Sequence, residues 1–207
     1  CIYSPNPAIS PRCLWLLIWI VMPTDTPVSP SKVSRETSRL IMKTHKLTLP
    51  LSPNSIRLLS PGDKVLLSGT LYTARDKAHQ RLVDLIRQGK PLPFKLPETA
   101  IFYCGPSPIP PDKVCGAIGP TTSSRMDAYT PTLLEHGLRI MIGKGERSPE
   151  VQAAIKQHQA LYLVATGGVA AYLSTHVTKF ELFLWPELGA EAIYKMEVVD
   201  FPCYVAL

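Results

Sequence analysis

The sequence contains few cysteines, and their spacing excludes several kinds of site. The five cysteines are Cys1, Cys13, Cys104, Cys115 and Cys203. None forms a CxxC pair, so the sequence predicts neither a zinc site nor a thioredoxin-like site, and these spacings alone cannot assemble the ligands of an iron–sulfur cluster. Cys104 and Cys203 each lie in an apolar run, which favours buried thiols. An odd number of dispersed cysteines indicates a reducing compartment, and we expect the protein to be cytoplasmic.

Long apolar runs and clusters of basic residues are also missing. The apolar run CLWLLIWIVM at residues 13–22 is shorter than the roughly twenty residues that cross a bilayer, so we expect no membrane-spanning segment. Lys and Arg number 22 against 16 Asp and Glu, but they are scattered, and no basic tail predicts binding to nucleic acid. This mildly basic balance suits a small acidic substrate better than a polyanion.

The length suits one folded domain, preceded by a segment of different composition. Proline and serine recur through residues 1–41, and we predict that this segment is a disordered or non-native leader and that the domain occupies residues 42–207. Met42 is the predicted native start, with Met22 as the alternative. A signal peptide is the competing interpretation, but only Arg12 closely precedes the apolar run and no small-residue cleavage site follows it.

From residue 42 onward, short apolar runs alternate with segments of helical spacing, which predicts a layered α/β fold. Apart from Arg139 and Thr166, the runs LRIMIG and LYLVATGG are apolar, and both are closed by glycine, as in strands that are covered on both faces. The predicted strands are VLLSGTL (65–71), AIFYCG (100–105), LRIMIG (138–143), LYLVATGG (161–168), ELFLW (181–185), IYKMEVVDF (193–201) and CYVAL (203–207). The predicted helices are a segment from Ala74 to Gly89, RMDAYTPTLLEHG (125–137), SPEVQAAIKQHQ (148–159) and GGVAAYLSTHV (167–177).

The segment GAIGPTTSSRMDAYTP at residues 116–131 combines a Gly-Pro turn, four consecutive hydroxyl side chains and an arginine. Arginine presents a rigid planar fork that carboxylates accept in a bidentate manner. We expect the hydroxyls of Thr121 to Ser124 to face the same space as Arg125. They are also suited to capping a helix, although a cap needs only one of them. The segment therefore indicates a carboxylate-binding loop, with a simple helix cap as the alternative.

Further basic groups follow predicted strands, where α/β proteins bind their ligands. Arg75 and Asp76 begin a predicted helix, and His79 lies one turn further along the same face. These residues suit either an anion site or a surface ion pair beside a buried, hydrogen-bonded histidine. Lys144 lies between glycines in MIGKGERSP, which lacks Walker-loop spacing and suits either a ligand contact or a solvated turn. The glycines of ATGGVAAY (165–172) suit either an anion-binding nest or tight packing.

Three cations and one hydroxyl are predicted to lie on successive strand-end loops, namely Arg75, Thr121, Arg125 and Lys144. This set suits a dicarboxylate. The motifs GTLYTARDKAH, GPTTSSRMD, MIGKGERSP, ATGGVAAYL and PELGAEAIYKMEV, in this order, resemble the β subunit, or carboxy-terminal domain, of the iron–sulfur hydro-lyases that include class I fumarase and L(+)-tartrate dehydratase. The resemblance covers residues 43–207 and implies a swivelling β/β/α domain.

The resemblance also implies an enzyme that reversibly hydrates or dehydrates a small dicarboxylate. Fumarate to malate and tartrate to oxaloacetate both remain open. It implies that Thr121 takes part in proton transfer and that Arg75, Arg125 and Lys144 hold the substrate carboxylates. It further implies a 4Fe–4S cluster held by a partner α subunit, so that this chain binds no metal, is active only with that subunit and forms an αβ or α2β2 hetero-oligomer. A non-catalytic carboxylate-binding or scaffold module of the same fold is the alternative function.

Overall fold

The computed structural model describes residues 42–207, so the predicted leader, residues 1–41, lies outside the described residues. Seven strands form one sheet. They are β1 (Thr44–Thr48), β2 (Lys64–Thr73), β3 (Ala100–Phe102), β4 (Ile140–Gly143), β5 (Leu161–Val164), β6 (Val177–Leu184) and β7 (Ile193–Val205).

The sheet closes on itself because β7 pairs with two strands that are far apart in the sheet order. The order is β1-β2-β3-β4-β5-β7-β6, and β7 also pairs with β2. Strands β1 to β5 run parallel to their neighbours in this series, whereas β7 is antiparallel to β2, β5 and β6. The strands β2, β3, β4, β5 and β7 therefore form a barrel-like ring, which β1 and β6 extend.

Side chains alternate between the interior of this ring and its outer face, as the pleat of a strand requires. In β3, Ala100 and Phe102 join a buried cluster that draws on all the strands of the ring, whereas Ile101 joins a second cluster formed with the helices. Strand β4 repeats the pattern, with Ile142 in the first cluster and Met141 in the second. Both faces of β4 are buried, which confirms the prediction for its wholly apolar sequence.

The helices pack against both clusters: Ala78, Leu133 and Val151 join the second cluster on the outer face of the ring, whereas Leu173 joins the first. The described helices are α1 (Pro53–Arg57), α2 (Asp76–Arg87), α3 (Thr130–Glu135), α4 (Pro149–Gln157) and α5 (Ala170–Ser174), with short 3₁₀ helices at Leu96–Glu98, Ser123–Met126 and Pro186–Glu191. Helix α4 begins as predicted, because the Ser148 hydroxyl accepts a hydrogen bond from the amide of Val151 at 3.4 Å and Pro149 is the first helical residue. None of the helices within residues 42–207 has the length and apolar character needed to cross a membrane.

The predicted α/β class is confirmed, but the predicted helix over residues 125–137 is interrupted. It consists of the 3₁₀ helix Ser123–Met126 followed, after a turn, by α3. Pro131 lies in the first turn of α3 and has no N–H to donate to the carbonyl of Asp127, so one α-helix cannot run unbroken through this segment. Gly137 follows the end of α3, as predicted, with a φ of 105° that favours glycine.

The segments 193–201 and 203–207, predicted as separate strands, are joined in the single strand β7. Strand β7 stays paired with β2 on both sides of Pro202. A register shift between Leu67 and Gly69, together with a left-handed φ of 50° at Asp200, absorbs the local irregularity.

Leu67 lies in the interior cluster with no exposed surface, so we predict that Leu67→Ala lowers the free energy of unfolding by about 2 to 5 kcal/mol. The truncation leaves a cavity that the surrounding strands cannot fill. Leu58→Ala makes the same change at a residue that is 76% exposed, and we expect an effect below about 0.5 kcal/mol. Denaturant titration measures both values, and equal effects would contradict the interior position of Leu67.

Candidate functional site

The carboxyl ends of three neighbouring parallel strands lie at one edge of the ring. The residues that pair near the ends of β2, β3 and β4 are Thr73, Phe102 and Ile142. The loops that leave these strands therefore begin side by side, which is where ligands bind in many α/β proteins. The predicted site residues all follow these strand ends, in the order Arg75, Thr121, Arg125 and Lys144.

Arg75 and Arg125 share one carboxylate. Nε of Arg125 donates to Oδ1 of Asp76 at 2.9 Å, and Nη2 of Arg75 lies 3.7 Å from Oδ2 of the same carboxylate. Oε1 of Glu191 also lies 3.8 Å from Nη2 of Arg75. Gly105 leaves room for Arg75, because a Cβ added at Gly105 would lie only 2.9 Å from Nη1 of that arginine. The two guanidinium groups are therefore held near each other, and the Arg125 side chain remains half-exposed.

Thr121 and Lys144 lie on adjoining backbone segments. The amide of Thr121 donates to the carbonyl of Tyr103 at 2.7 Å, and the amide of Lys144 donates to the carbonyl of Thr121 at 3.3 Å. The amide of Ser123 returns a bond to the carbonyl of Lys144 at 2.9 Å. Thr122 and Lys144 thus form a parallel bridge, and the exposed Lys144 side chain leaves the backbone beside the threonine loop.

These contacts bring the four predicted residues to one edge of the sheet as two pairs joined by the loop 121–125. Their catalytic and binding roles stay predictions. The helix-cap alternative does not account for the hydroxyl run, because Thr122 flanks the 3₁₀ helix without a side-chain capping bond. The expectation that all four hydroxyls face the same space as Arg125 is wrong for Ser123, which is fully buried and bonds through its hydroxyl to Tyr162.

His79 is a buried supporting residue. Its amide and its Nδ1 both contact the carbonyl oxygen of Arg75, at 2.8 and 2.9 Å. The ring also packs edge-on against Tyr103, with centroids 5.2 Å apart. Burial lowers the pKa of His79 to about 4, so the imidazole is neutral at pH 7. The surface ion pair and the buried histidine considered for this segment are therefore both present, and they fix the backbone at Arg75.

Arg147 is a buried residue that the sequence did not single out. Its side chain has no exposed surface, and Nε donates to Oδ1 of Asp127 at 2.7 Å. The guanidinium also donates to the hydroxyls of Thr130 at 2.6 Å and Tyr103 at 3.2 Å. The second carboxylate oxygen of Asp127 accepts from the amide of Ser148 at 2.8 Å. This network links Arg147 and Ser148 to the start of α3. Both segments adjoin, along the chain, the loops that carry the candidate site.

Local sequence offers little signal for that network. Arg147 follows Gly-Lys-Gly-Glu, a polar stretch that is typical of a solvated turn. Its partner Asp127 lies twenty positions away along the chain, and no periodicity links the two. One usable signal is Tyr103, since a tyrosine within an apolar strand needs a partner for its hydroxyl, and Arg147 supplies that partner.

The glycine pair in the segment 165–172 is explained in part by backbone geometry. Gly168 has a φ of 79°, which favours glycine. Close packing involves Ala170 of this segment and Gly119 of another loop, because a Cβ added at Gly119 would lie 3.2 Å from Cβ of Ala170. Helix α5, which follows, is only five residues long.

The described cysteines do not suit a metal cluster. Within residues 42–207 no group of three or more His, Cys, Asp or Glu side chains is arranged to hold a metal ion. Cys104, Cys115 and Cys203 are free and buried, which confirms the burial predicted for Cys104 and Cys203. Burial raises the pKa of Cys104 to about 12, so its thiol is protonated at pH 7. These residues therefore do not fit a role as ligands of an iron–sulfur cluster.

Comparisons with known proteins identify the relatives of the chain. Residues 22–207 match the family described as Fumarase C-terminus. The chain is 40% identical over 148 residues to Fumarate hydratase 2 of Leishmania major, and 43% identical over 144 residues to the anaerobic class I fumarate hydratase of Escherichia coli (strain K12). These alignments cover 70% and 69% of this chain but 26% of each relative. The chain thus spans about a quarter of the length of these fumarate hydratases.

A relative of similar length is the L(+)-tartrate dehydratase subunit beta of Escherichia coli (strain K12). It is 34% identical over 159 residues, which cover 75% of this chain and 78% of that subunit. Both groups of relatives are hydro-lyases by name, so the resemblance drawn from the motifs is confirmed. The family match begins at residue 22, and the domain boundary at residue 42 stays a prediction.

The neutral, buried state of His79 predicts a pH dependence of stability. The unfolded chain takes up a proton below its ordinary pKa of 6.5, whereas the folded chain does so only near 4. The free energy of unfolding should therefore fall as the pH decreases between these values, by up to about 1.4 kcal/mol per pH unit from this group. In His79→Phe that part of the dependence should vanish. Denaturant titrations from pH 7 to pH 4 measure it, and equal slopes in both proteins would contradict the assignment.

Proposed function

The chain belongs to the Fumarase C-terminus family, and from that premise we propose that it is the β subunit of a hydro-lyase acting on a small dicarboxylate. The reaction is the reversible addition or removal of water, either between fumarate and malate or between tartrate and oxaloacetate. The observation that supports this proposal most is the placement of three cations and a threonine on loops that lie at one edge of the sheet. That arrangement complements a doubly negative molecule.

We assign carboxylate binding first to Arg125. Its Nε donates a hydrogen bond to Asp76, but no described residue accepts a hydrogen bond from its Nη atoms. Those donors are available as a fork for a substrate carboxylate. Arg75 contacts the same Asp76 carboxylate through Nη2. Its Nε is buried and has no hydrogen-bond partner among the described residues. Because an unpaired buried donor is costly, a polar ligand group beside Arg75 would stabilise this arrangement.

We assign proton transfer at the substrate carbon to Thr121, acting with an aspartate of the partner. A threonine hydroxyl is a weak base unless neighbouring groups activate it. Lys144 lies on the adjoining segment, with its amide bonded to the carbonyl of Thr121. We propose that its ammonium group binds the second carboxylate and stabilises the negative charge that develops when the carbon-bound proton leaves.

We further propose that the metal chemistry is supplied by a partner α subunit that holds a 4Fe–4S cluster. The described residues of this chain offer no suitable set of ligands, so their part is to bind, orient and exchange a proton with the substrate. A β subunit of this kind acts in an αβ or α2β2 hetero-oligomer. We also propose a cytoplasmic location, since free, buried cysteines suit a reducing compartment.

We predict that Arg125→Ala leaves the fold intact and lowers kcat/KM of the complex about 10- to 150-fold, which corresponds to one charge-assisted contact of about 1.5 to 3 kcal/mol. The side chain is half-exposed, so its loss should cost little stability. Steady-state kinetics with the full chain and the α subunit measure the effect. Arg87→Ala, at the exposed end of α2, is the control and should behave as wild type. Near-normal turnover in Arg125→Ala would refute the site.

We predict that the full chain alone has no hydro-lyase activity and that activity appears when the α subunit is added anaerobically. Fumarate and L(+)-tartrate, supplied separately, identify the substrate. Calorimetry of the isolated chain with each dicarboxylate distinguishes the alternative function. Weak or undetectable binding is expected, because half of the site is supplied by the partner. Tight binding without any activity in the mixture would instead support a non-catalytic carboxylate-binding module.

A further inference from the structure

One of the four consecutive hydroxyls lies outside the exposed part of the site. Ser123 is fully buried, and its Oγ lies 2.8 Å from the hydroxyl of Tyr162. The Tyr162 hydroxyl also lies 2.7 Å from the carbonyl oxygen of Gly145. Since a carbonyl only accepts, Tyr162 donates to Gly145, and the Ser123 hydroxyl can donate to Tyr162. Every polar atom of this small cluster is thereby satisfied without a ligand.

The two partners of Tyr162 belong to different loops of the candidate site. Ser123 lies between Thr121 and Arg125, and Gly145 directly follows Lys144. The Tyr162 hydroxyl, which projects from β5, is therefore a cross-link beneath both loops.

Close packing leaves this cross-link little freedom. A Cβ added at Gly143 would lie 2.0 Å from Oγ of Ser123, so the serine is pressed against the end of β4. The Tyr162 ring lies under the guanidinium of Arg147 at 5.2 Å. Burial raises the pKa of Tyr162, so the phenol stays protonated and able to donate. A phenylalanine would fill the same space, and the hydroxyl is therefore the part of this residue that needs an explanation.

We propose that Tyr162 is a positioning residue whose hydroxyl fixes the spacing between the loop that carries Thr121 and Arg125 and the loop that carries Lys144. This inference rests on the proposed function, because the spacing matters only if the two loops bind one substrate. Misplacement of reacting groups by a fraction of an ångström to an ångström is costly for turnover, even when binding persists. Arg147 and Asp127 tie the same two segments further along, so removal of the Tyr162 hydroxyl should loosen the loops without unfolding them.

The first arm of the test needs neither partner nor substrate. Hydrogen exchange is measured in the full chain at the amides of Ser123 and Lys144, which form the backbone bonds between the loops. In Tyr162→Phe, exchange at both amides should be about three- to tenfold faster, because one hydrogen bond that opposes local opening is lost. Amides of β2 should exchange as in wild type. Tyr204→Phe is the control, since its hydroxyl has no hydrogen bond to a described residue.

The second arm uses the complex with the α subunit. Tyr162→Phe should lower kcat about tenfold while KM changes less than about twofold, because an altered spacing affects the transition state more than ground-state binding. Ser123→Ala removes the other end of the cross-link and should act in the same direction. It also serves as the test variant if Tyr162→Phe fails to fold. Tyr204→Phe should retain wild-type kinetics.

The outcomes separate this inference from the proposed function. Unchanged exchange at Ser123 and Lys144, or faster exchange that extends equally through β2, would overturn the positioning role. Faster local exchange with unchanged kcat would overturn it as well. If the wild-type complex were inactive on both dicarboxylates, the proposed function would fall, and with it the catalytic purpose of the cross-link. The exchange data would still decide whether the cross-link holds the loops together.

Discussion

The candidate site depends on one constraint, which is the register of three parallel strands in a closed ring. Because β2, β3 and β4 end at equivalent positions, their loops start from a common edge. Closure by β7, which is antiparallel to both β2 and β5, holds these strands in register. A slip of one residue in any strand would reverse its side chains between the interior and the outer face, so the register is strongly specified by burial.

Ion pairs and buried hydrogen bonds hold the loops that follow these strands in place. Asp76 contacts both Arg75 and Arg125, which offsets the repulsion between two cations that are held close together. Behind the loops, the Arg147–Asp127 pair is buried with hydroxyl partners, and a buried ion pair is tolerated only when its donors and acceptors are satisfied in this way. The exposed groups at the edge are therefore carried on segments that have little freedom of their own.

Local sequence patterns were sufficient for the α/β class, for most strands and helices, and for the four residues now found at one edge. Those features depend on short apolar runs, glycine stops and the cap at Ser148, which are all local. The closure of the ring was not predictable, because the pairing of β7 with β2 joins residues more than a hundred positions apart. The burial of Arg147 is not predictable for a related reason, since its partner Asp127 is brought near only by the fold. The interruption of the predicted helix over residues 125–137 has a local cause, since Pro131 lacks the N–H that a continuous helix needs.

The central claim is that this edge of the sheet binds a dicarboxylate in company with a metal-bearing partner. The most direct measurement is an anaerobic crystal structure of the full chain with its α subunit and a bound dicarboxylate. The account predicts one substrate carboxylate about 2.7 to 2.9 Å from the Nη atoms of Arg125, with Thr121 beside the substrate carbon that loses its proton. A dicarboxylate bound elsewhere, or one that contacts neither Arg125 nor Lys144, would contradict it.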